Sequence, residues 1–96
     1  MSTVTIVAKV VAKKEYTEMV RSELLKLIAP TRNEEGCIDY RLHQDNVDPA
    51  VFIFYENWES EAWLARHMAS EHFKNYVCAV DGKLEKKIVQ RMTMIG

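Results

Sequence analysis

Residues 30–58 read PTRNEEGCIDYRLHQDNVDPAVFIFYENW and contain the end of a helix followed by a complete β-hairpin. Pro30 removes a backbone donor, so a helix that reaches this position should kink or end there. Gly36 can then adopt the left-handed backbone conformation that often terminates a helix. Strands are predicted at residues 37–44 and 50–58, because the polar run DNVDP between them is typical of a hairpin turn.

The segments on either side of this hairpin complete the order of elements. Residues 3–12 alternate as a first strand, and residues 15–33 repeat apolar side chains at three- and four-residue steps, as a core-facing helix requires. Two short helices and a last strand are predicted at residues 60–69, 70–77 and 87–95, with Ser60 and Ser70 as the helix N-caps. The order βαββαβ predicts an α+β domain of ferredoxin-like type, in which helices cover one face of a four-stranded antiparallel sheet. We expect this single domain to span residues 1–96.

The apolar side chains of the third strand point to both faces of the predicted sheet. Val51, Ile53 and Tyr55 face one side, whereas Phe52 and Phe54 face the other. Because the helices cover only one of these faces, we expect a homodimer in which two sheets pair into a dimeric α/β barrel. The alternative is that the strands are only richer in apolar residues than average.

Composition and charge argue against several classes of partner. Thirteen basic and fourteen acidic residues give a net charge of -1, spread without runs, which provides no attraction to nucleic acid or to an anionic membrane. The N-terminus lacks a signal-peptide pattern and no apolar run approaches the roughly 20 residues of a membrane span, so we expect a soluble, cytoplasmic protein. Cys37 and Cys78 are expected to be reduced, since two thiols without a CxxC motif do not suggest a disulfide framework.

Three short motifs carry a resemblance to a known family, and they lie at a helix exit, a strand end and a helix. They are Pro30-Thr31-Arg32-x-Glu34-x-Gly36-Cys37, Glu56-x-Trp58-x-Ser60 and His67-x-x-Ser70-x-x-Phe73. With these motifs the chain resembles, from Val4 to about Leu84, the antibiotic-biosynthesis-monooxygenase family of small cofactor-free quinol oxygenases. The resemblance implies a dimeric α+β barrel with a small apolar pocket between the helices and the sheet of each subunit. It leaves the substrate open, because relatives act on quinols, polyketide phenols, haem and phosphorylated sugar-like signals.

The activity that this resemblance implies is oxidation of a quinol or related phenol by dioxygen, which needs a base that removes the substrate's proton. His67 is the leading candidate, because a histidine with the ordinary pKa of about 6.5 is largely neutral at cytosolic pH. The alternative is a partly exposed helix residue hydrogen-bonded to a backbone carbonyl. Trp63 lies four residues earlier and should line the same wall of the pocket. Glu56 is the second catalytic candidate, either as a buried carboxylate that polarises His67 or as an edge residue paired with a lysine.

Four other side chains are predicted to contact the substrate: Tyr40, Trp58, His72 and Phe73. Tyr40 could orient a ring hydroxyl through its own hydroxyl, although a core tyrosine with a backbone partner is more common. Trp58 and Phe73 are expected to form core or pocket wall, since aromatic residues at such positions usually fill space.

No metal and no cofactor are expected from the spacing of possible ligands. On a continuous helix His67 and His72 would be about 140° apart, too far for one ion, although a break at Ser70 could bring them together. The glycines at positions 36, 82 and 96 form no glycine-rich turn for a flavin or a nicotinamide. Haem-degrading relatives place a histidine shortly after the phenylalanine matched by Phe73, and this chain has none there.

Three functions remain open at this point. The first, which we favour, is a cofactor-independent monooxygenase that oxidises a quinol or related phenol with dioxygen. The second is an isomerase or other processing enzyme of a small phosphorylated signal, since relatives of that kind share the spacing of His67 and His72. The third is a non-enzymatic dimeric barrel that binds a hydrophobic metabolite or stabilises a partner.

Overall fold

The computed structural model describes residues 3–96, so residues 1 and 2 of the predicted domain lie outside the described part. The strands are β1 (Val4–Ala12), β2 (Cys37–Gln44), β3 (Val51–Trp58) and β4 (Leu84–Met92). The helices are α1 (Thr17–Lys26), α2 (Ile28–Arg32), α3 (Glu61–Met68) and α4 (Glu71–Ala79), and a 3₁₀ turn at Lys14–Tyr16 precedes α1. Within residues 3–96, none of the helices combines the length and the apolar character that a bilayer crossing demands.

The four strands form one antiparallel sheet in the order β2-β3-β1-β4. β1 and β3 are the central pair, although the first helical segment and β2 separate them in sequence. This is the ferredoxin-like α+β arrangement that the order of elements predicts, and the prediction is confirmed.

Alternation along the strands directs one set of side chains into a core between the sheet and the helices. The inward residues of the two central strands are Val4, Ile6, Val10, Phe52, Phe54 and Trp58. Val20 and Leu24 of α1, and Leu27 between α1 and α2, cover these side chains. The core therefore lies between one face of the sheet and the helices. Each fully buried side chain of this kind stabilises the fold by roughly 1.5–3 kcal/mol relative to an exposed one.

The predicted helix of residues 15–33 is interrupted at Leu27, between α1 and α2. Pro30 explains the position of this break, because its ring replaces the N–H that would donate to the carbonyl of Lys26. The chain kinks three residues before the proline and then continues for one more turn. Gly36 has a φ of 84°, so the left-handed exit after this segment is confirmed.

Gly36 is required for a second reason, which is its contact with Trp63. A Cβ at Gly36 would overlap the Cβ and Cγ atoms of the Trp63 side chain. The carbonyl of Gly36 also accepts a hydrogen bond from the N–H of Glu59 at 2.8 Å. These contacts hold the turn before β2 against the start of α3, and they bring Glu34 close to α3.

The last strand begins at Leu84, three residues earlier than predicted. A turn in which Gly82 has a φ of 75° ends just before it, so the chain can pair with Ala12 at once. The pairing with β1 ends where Met92 lies opposite Thr5. Residues 93–95 lie beyond this last pair, and their assignment to the strand was wrong for that reason.

The opposite face of the sheet carries the remaining apolar side chains. Val7, Val51 and Ile53 are partly buried on this outer face, and Tyr55 is 37% exposed. Within residues 3–96 the helices pack on the other face and leave this one open. The homodimer that would cover it stays a prediction.

Candidate active site

His67 lies on the inner side of α3, and only 2% of its surface is exposed. Its Nδ1 lies 2.8 Å from Oε2 of Glu34, a residue of the turn between α2 and β2. His72, in the first turn of α4, places its Nε2 2.7 Å from the same oxygen. One carboxylate oxygen therefore accepts hydrogen bonds from two imidazole rings, and we refer to these three residues as the Glu34–His67–His72 cluster.

Ser70 separates α3 from α4 and brings the two histidines together. Its Oγ accepts a hydrogen bond from the N–H of Phe73 at 3.3 Å and donates one to the carbonyl of His67 at 2.6 Å. The chain turns at this N-cap, and the ring centres of His67 and His72 are 6.0 Å apart. The 140° separation expected for a continuous helix does not apply, because the break at Ser70 that the sequence left open is present and brings the two rings together.

Three aromatic rings surround the imidazole of His67. The ring centres of Trp58, Phe73 and Tyr40 lie 4.8, 5.0 and 5.6 Å from that of His67. The guanidinium of Arg32 donates two hydrogen bonds, of 3.1 and 3.0 Å, to the backbone carbonyl of Tyr40 and so fixes the strand that carries this ring. The imidazole is therefore held in an apolar wall with one polar contact at Nδ1.

Glu56 is a second buried carboxyl group, and it does not contact His67. Its Oε1 accepts a hydrogen bond of 2.9 Å from the indole N–H of Trp58. Burial raises the pKa of Glu56 to about 6, against the opposing effect of the Trp58 hydrogen bond. In the structure the carboxylate that contacts His67 is Glu34, and the hydrogen-bond partner of Glu56 is an indole rather than a lysine.

A cleft with a volume of about 300 Å³ opens between the inner face of the sheet and the α3–α4 pair. Four of the predicted site residues line it: Tyr40, Glu56, His67 and Phe73. The wall formed by β4 contributes Lys87, Val89 and Arg91, and its side chains are exposed. The cleft is therefore mostly apolar, has one buried imidazole on its inner wall, and opens to solvent beside β4.

Three predicted site residues lie outside this cleft. Trp58 is fully buried behind His67. Trp63 packs on Gly36, with the guanidinium of Arg66 5.0 Å above its ring. His72 contacts Glu34 on the far side of the His67 ring. These residues support the wall rather than form its surface.

A second depression of about 360 Å³ lies over Arg32 and residues 37–41. It shares Tyr40 with the cleft and contains neither histidine of the cluster. Cys37 lines this depression, and burial raises the pKa of its thiol to about 11. A protonated thiol is a weak nucleophile, so this depression offers less chemistry than the cleft. Both cysteines are free, as predicted.

The hydrogen bond to Glu34 determines which nitrogen of His67 carries the proton. A carboxylate accepts and does not donate, so the neutral ring is protonated at Nδ1 and has its lone pair at Nε2. Burial lowers the pKa of His67, and the hydrogen bond that the ring donates to Glu34 only partly opposes this effect. The ring is therefore neutral at neutral pH and can accept a proton at Nε2.

Tyr76 is a cleft residue that the sequence analysis did not identify. It lines the cleft from α4, and its buried hydroxyl has no hydrogen-bond partner among residues 3–96. Burial raises its pKa to about 12, so the hydroxyl stays protonated and can donate to a bound molecule. The spacing to Phe73, three residues before it on the same helix, is the signal that could have found it.

Glu34 was also missed as a site residue, although it belongs to the first sequence motif. It lies 33 positions before His67 and in an irregular turn, where neither helical nor strand periodicity indicates a direction. Its fixed place in that motif, three residues before the strand, was the available signal.

Comparison with known proteins identifies close structural relatives. A model of the family described as antibiotic biosynthesis monooxygenase matches residues 3–78. The crystal structure of PA3566 from Pseudomonas aeruginosa has a TM-score of 0.95 and 31% sequence identity, covering 100% of this chain and 97% of that one. The structure of Rv0793 from Mycobacterium tuberculosis has a TM-score of 0.91 and 26% identity, covering 99% of this chain and 97% of that one.

The chain is also similar to a protein whose name states an activity. YgiN from Escherichia coli K12, named probable quinol monooxygenase, is 27% identical over 88 residues. The alignment covers 81% of this chain and 85% of that protein.

Proposed function

The chain belongs to the antibiotic biosynthesis monooxygenase family, and we propose that it oxidises a quinol or a related phenol with dioxygen and without a bound cofactor. The observation that best supports this proposal is His67, a buried imidazole that borders an apolar cleft and is held at Nδ1 by Glu34. The name of the relative YgiN supports the same substrate class.

The reaction begins with proton transfer from a substrate hydroxyl to Nε2 of His67. The hydrogen bond from Nδ1 to Glu34 holds the ring in the tautomer that can accept this proton. Once protonated, the imidazolium lies 2.8 Å from a carboxylate oxygen, which offsets part of the cost of a charge in a buried position. The substrate is left as a phenolate in an apolar cleft.

The phenolate then supplies electrons to dioxygen. One electron passes to dioxygen, and the resulting phenoxyl radical and superoxide combine at a ring carbon to give a peroxide, which takes the proton back from the imidazolium. His67 next removes the hydrogen on that carbon, the O–O bond breaks, a new carbonyl forms and water leaves with the returned proton. One hydroquinone and one dioxygen give one hydroxyquinone and one water, so atoms and electrons balance.

The cleft walls fit a flat aromatic ring with hydroxyl groups. Tyr40 and Phe73 provide aromatic faces beside His67, and ring pairs of this kind contribute roughly 0.5–1.5 kcal/mol beyond their buried area. The unpartnered hydroxyl of Tyr76 donates to a second substrate oxygen. Glu56 also lines the cleft, and because burial raises its pKa to about 6 it is mostly ionised at neutral pH and gains its proton only as the pH falls below this value.

A phosphorylated substrate is the second candidate, because Lys87 and Arg91 line the β4 side of the cleft. Cations at a cleft mouth attract anionic groups. Arg91 is already paired with Glu61 through two hydrogen bonds of 2.9 and 3.0 Å, which weakens this argument. Turnover of a phosphorylated ketose without oxygen would support this candidate against the first.

We also propose that the protein acts as a homodimer through the outer face of its sheet. Val7, Ile53 and Tyr55 form a largely apolar strip there that the helices leave open, with Lys9 opposite Ile53 as its charged member. A twofold pairing of two such faces is self-complementary and closes without further growth.

The test is an oxygen-uptake assay on a panel of hydroquinones with metal-free protein. We expect oxygen-dependent formation of a hydroxyquinone, with one atom from labelled dioxygen in the product and the other in water. The variant His67→Gln should lower the rate by about 10²- to 10⁴-fold, the usual loss when a general base is removed.

The matched control is His43→Gln, which removes an exposed histidine of β2 and should leave the rate unchanged. Equal rates for His67→Gln and the natural protein would contradict the role of His67. Hydrogen peroxide in place of water as the reduced product would show an oxidase instead of a monooxygenase.

A further inference from the structure

We infer that the Glu34–His67–His72 cluster is a binding site for one divalent transition-metal ion, such as Zn²⁺. The site is separate from the substrate cleft, because Glu34 and His72 do not line that cleft and only the His67 ring borders both. Nothing in the proposed oxidation uses such an ion.

The donor set suits this class of metal. Two imidazole nitrogens and one carboxylate oxygen are ligands that Zn²⁺ and neighbouring first-row ions prefer, and three protein ligands leave a fourth position for water. The three donor atoms all lie within 4.8 Å of one another. Each comes from a different part of the chain: the turn before β2, α3 and α4.

The distances require movements of about half an ångström at the carboxylate oxygen and of up to about 1.5 Å between the two imidazole nitrogens, which lie within 4.8 Å of each other. With metal–ligand bonds of about 2.0–2.1 Å, tetrahedral geometry places donor atoms roughly 3.3 Å apart. The carboxylate oxygen now lies 2.8 Å from one nitrogen and 2.7 Å from the other, so each contact must lengthen by about half an ångström. His67 is fixed by its aromatic neighbours, whereas the side chains of His72 and Glu34 are 26% and 17% exposed and can adjust.

Metal binding would change the chemistry of the cleft through the tautomer of His67. An ion bound to Nδ1 takes the lone pair of that nitrogen, so the proton of the neutral ring moves to Nε2. Nε2 then donates a hydrogen bond and no longer accepts a proton. This consequence rests on the proposed function, and it makes the ion an inhibitor of the oxidation.

Binding is tested first, with untagged, metal-stripped protein and no substrate. Titration with Zn²⁺ followed by calorimetry, and with Co²⁺ followed by visible absorption, should show one ion per chain. Glu34→Gln and His72→Gln should each weaken binding by at least about 10-fold, whereas the matched controls Glu35→Gln and His43→Gln, both at exposed positions, should not. Binding by either cluster variant with the natural affinity would overturn the site.

The tautomer is tested second, by long-range ¹H–¹⁵N correlation spectra of the histidine rings. His67 should carry its proton on Nδ1 without metal and on Nε2 with one equivalent of Zn²⁺, and Zn²⁺ should lower the rate of quinol oxidation in parallel. An unchanged tautomer in the metal-bound protein would overturn the inhibitory effect. Absence of any oxidation by metal-free protein would contradict the proposed function, while the binding result would still decide the site.

Discussion

Glu34 and Glu56 are the two carboxyl groups of the candidate site, and their surroundings differ. Glu34 is partly exposed and accepts hydrogen bonds from His67 and His72. Glu56 is buried, has a single hydrogen bond from Trp58, and its pKa is raised to about 6. Burial makes a negative charge more costly on Glu56 than on the partly exposed Glu34.

Glu56→Gln is expected to stabilise the protein at neutral pH. Because the folded-state pKa of Glu56 is raised from 4.5 to about 6, folding favours its protonated form, and that contribution is lost as pH rises through this range. The linkage amounts to about 2 kcal/mol. Glutamine keeps the acceptor for Trp58 and carries no charge. The gain in the free energy of unfolding, measured by urea at about pH 4 and about pH 7.5, should be about 2 kcal/mol larger at the higher pH.

Glu59→Gln is the control for this experiment, because Glu59 is exposed and lies three residues further along the same chain segment. It should leave the free energy of unfolding close to that of the natural protein at both pH values. A pH-independent effect of Glu56→Gln would show that Glu56 is ionised in the folded protein without cost.

At the residue scale, the sequence could identify side chains but not their partners. His67 was predicted from its motif, and its place on the cleft follows from helical spacing. Its partner Glu34 is 33 residues away, and such a contact depends on how the turn before β2 packs on α3. The sequence around Tyr76 does not indicate that its hydroxyl lacks a hydrogen-bond partner, because this depends on which side chains pack around it in the folded core.

At the scale of elements, the break between α3 and α4 is the feature on which the site depends. One uninterrupted helix would place His67 and His72 on different faces. Ser70 interrupts the helix. Its hydroxyl accepts a hydrogen bond from the first turn of α4 and donates one to the last turn of α3. The same hydroxyl lies 3.3 Å from Nε2 of His72, so it also touches the cluster directly.

Comparing Ser70→Ala with Ser60→Ala distinguishes the loss of a helix cap from the loss of the arrangement that places the two histidines together. Both serines are helix N-caps, so each variant should lose about 1 kcal/mol of stability, measured by thermal or urea unfolding. Only Ser70 joins the segments that carry the two histidines. Oxidation of hydroquinone should therefore fall in Ser70→Ala and stay unchanged in Ser60→Ala. Equal activities at equal losses of stability would show that the break needs no serine.

The order and type of the elements could be predicted from periodicity, because each long segment has one apolar face. The predicted ends of the helices and strands were less accurate where strand pairing or steric hindrance determines the end. β4 begins at Leu84 because β1 offers a partner there, which its own alternation cannot show. The helix breaks at Leu27 and not at Pro30, because the proline ring acts on the carbonyl four residues before it.

At the scale of the whole molecule, the sheet formed within residues 3–96 carries apolar side chains on both faces, and the helices of this part cover one of them. The outer strip on β1 and β3 is half-buried, with the exposed Tyr55 opposite Val7. Leaving such a strip in water forgoes roughly 25 cal/mol for each square ångström that a partner would cover. A second copy is the simplest partner, since every chain presents the same strip.

Tyr55→Lys is expected to convert the dimer to a monomer, because a twofold contact would place two buried lysines close together. Val77→Lys is the matched control, since Val77 is an apolar residue of similar exposure on α4, on the opposite side of the sheet. Sedimentation equilibrium at micromolar concentration should give a dimer for the natural protein and for Val77→Lys. Tyr55→Lys should sediment as a folded monomer, with its helical circular dichroism retained. A monomeric natural protein under these conditions would contradict the dimer and require that the strip remain open or bind a different partner.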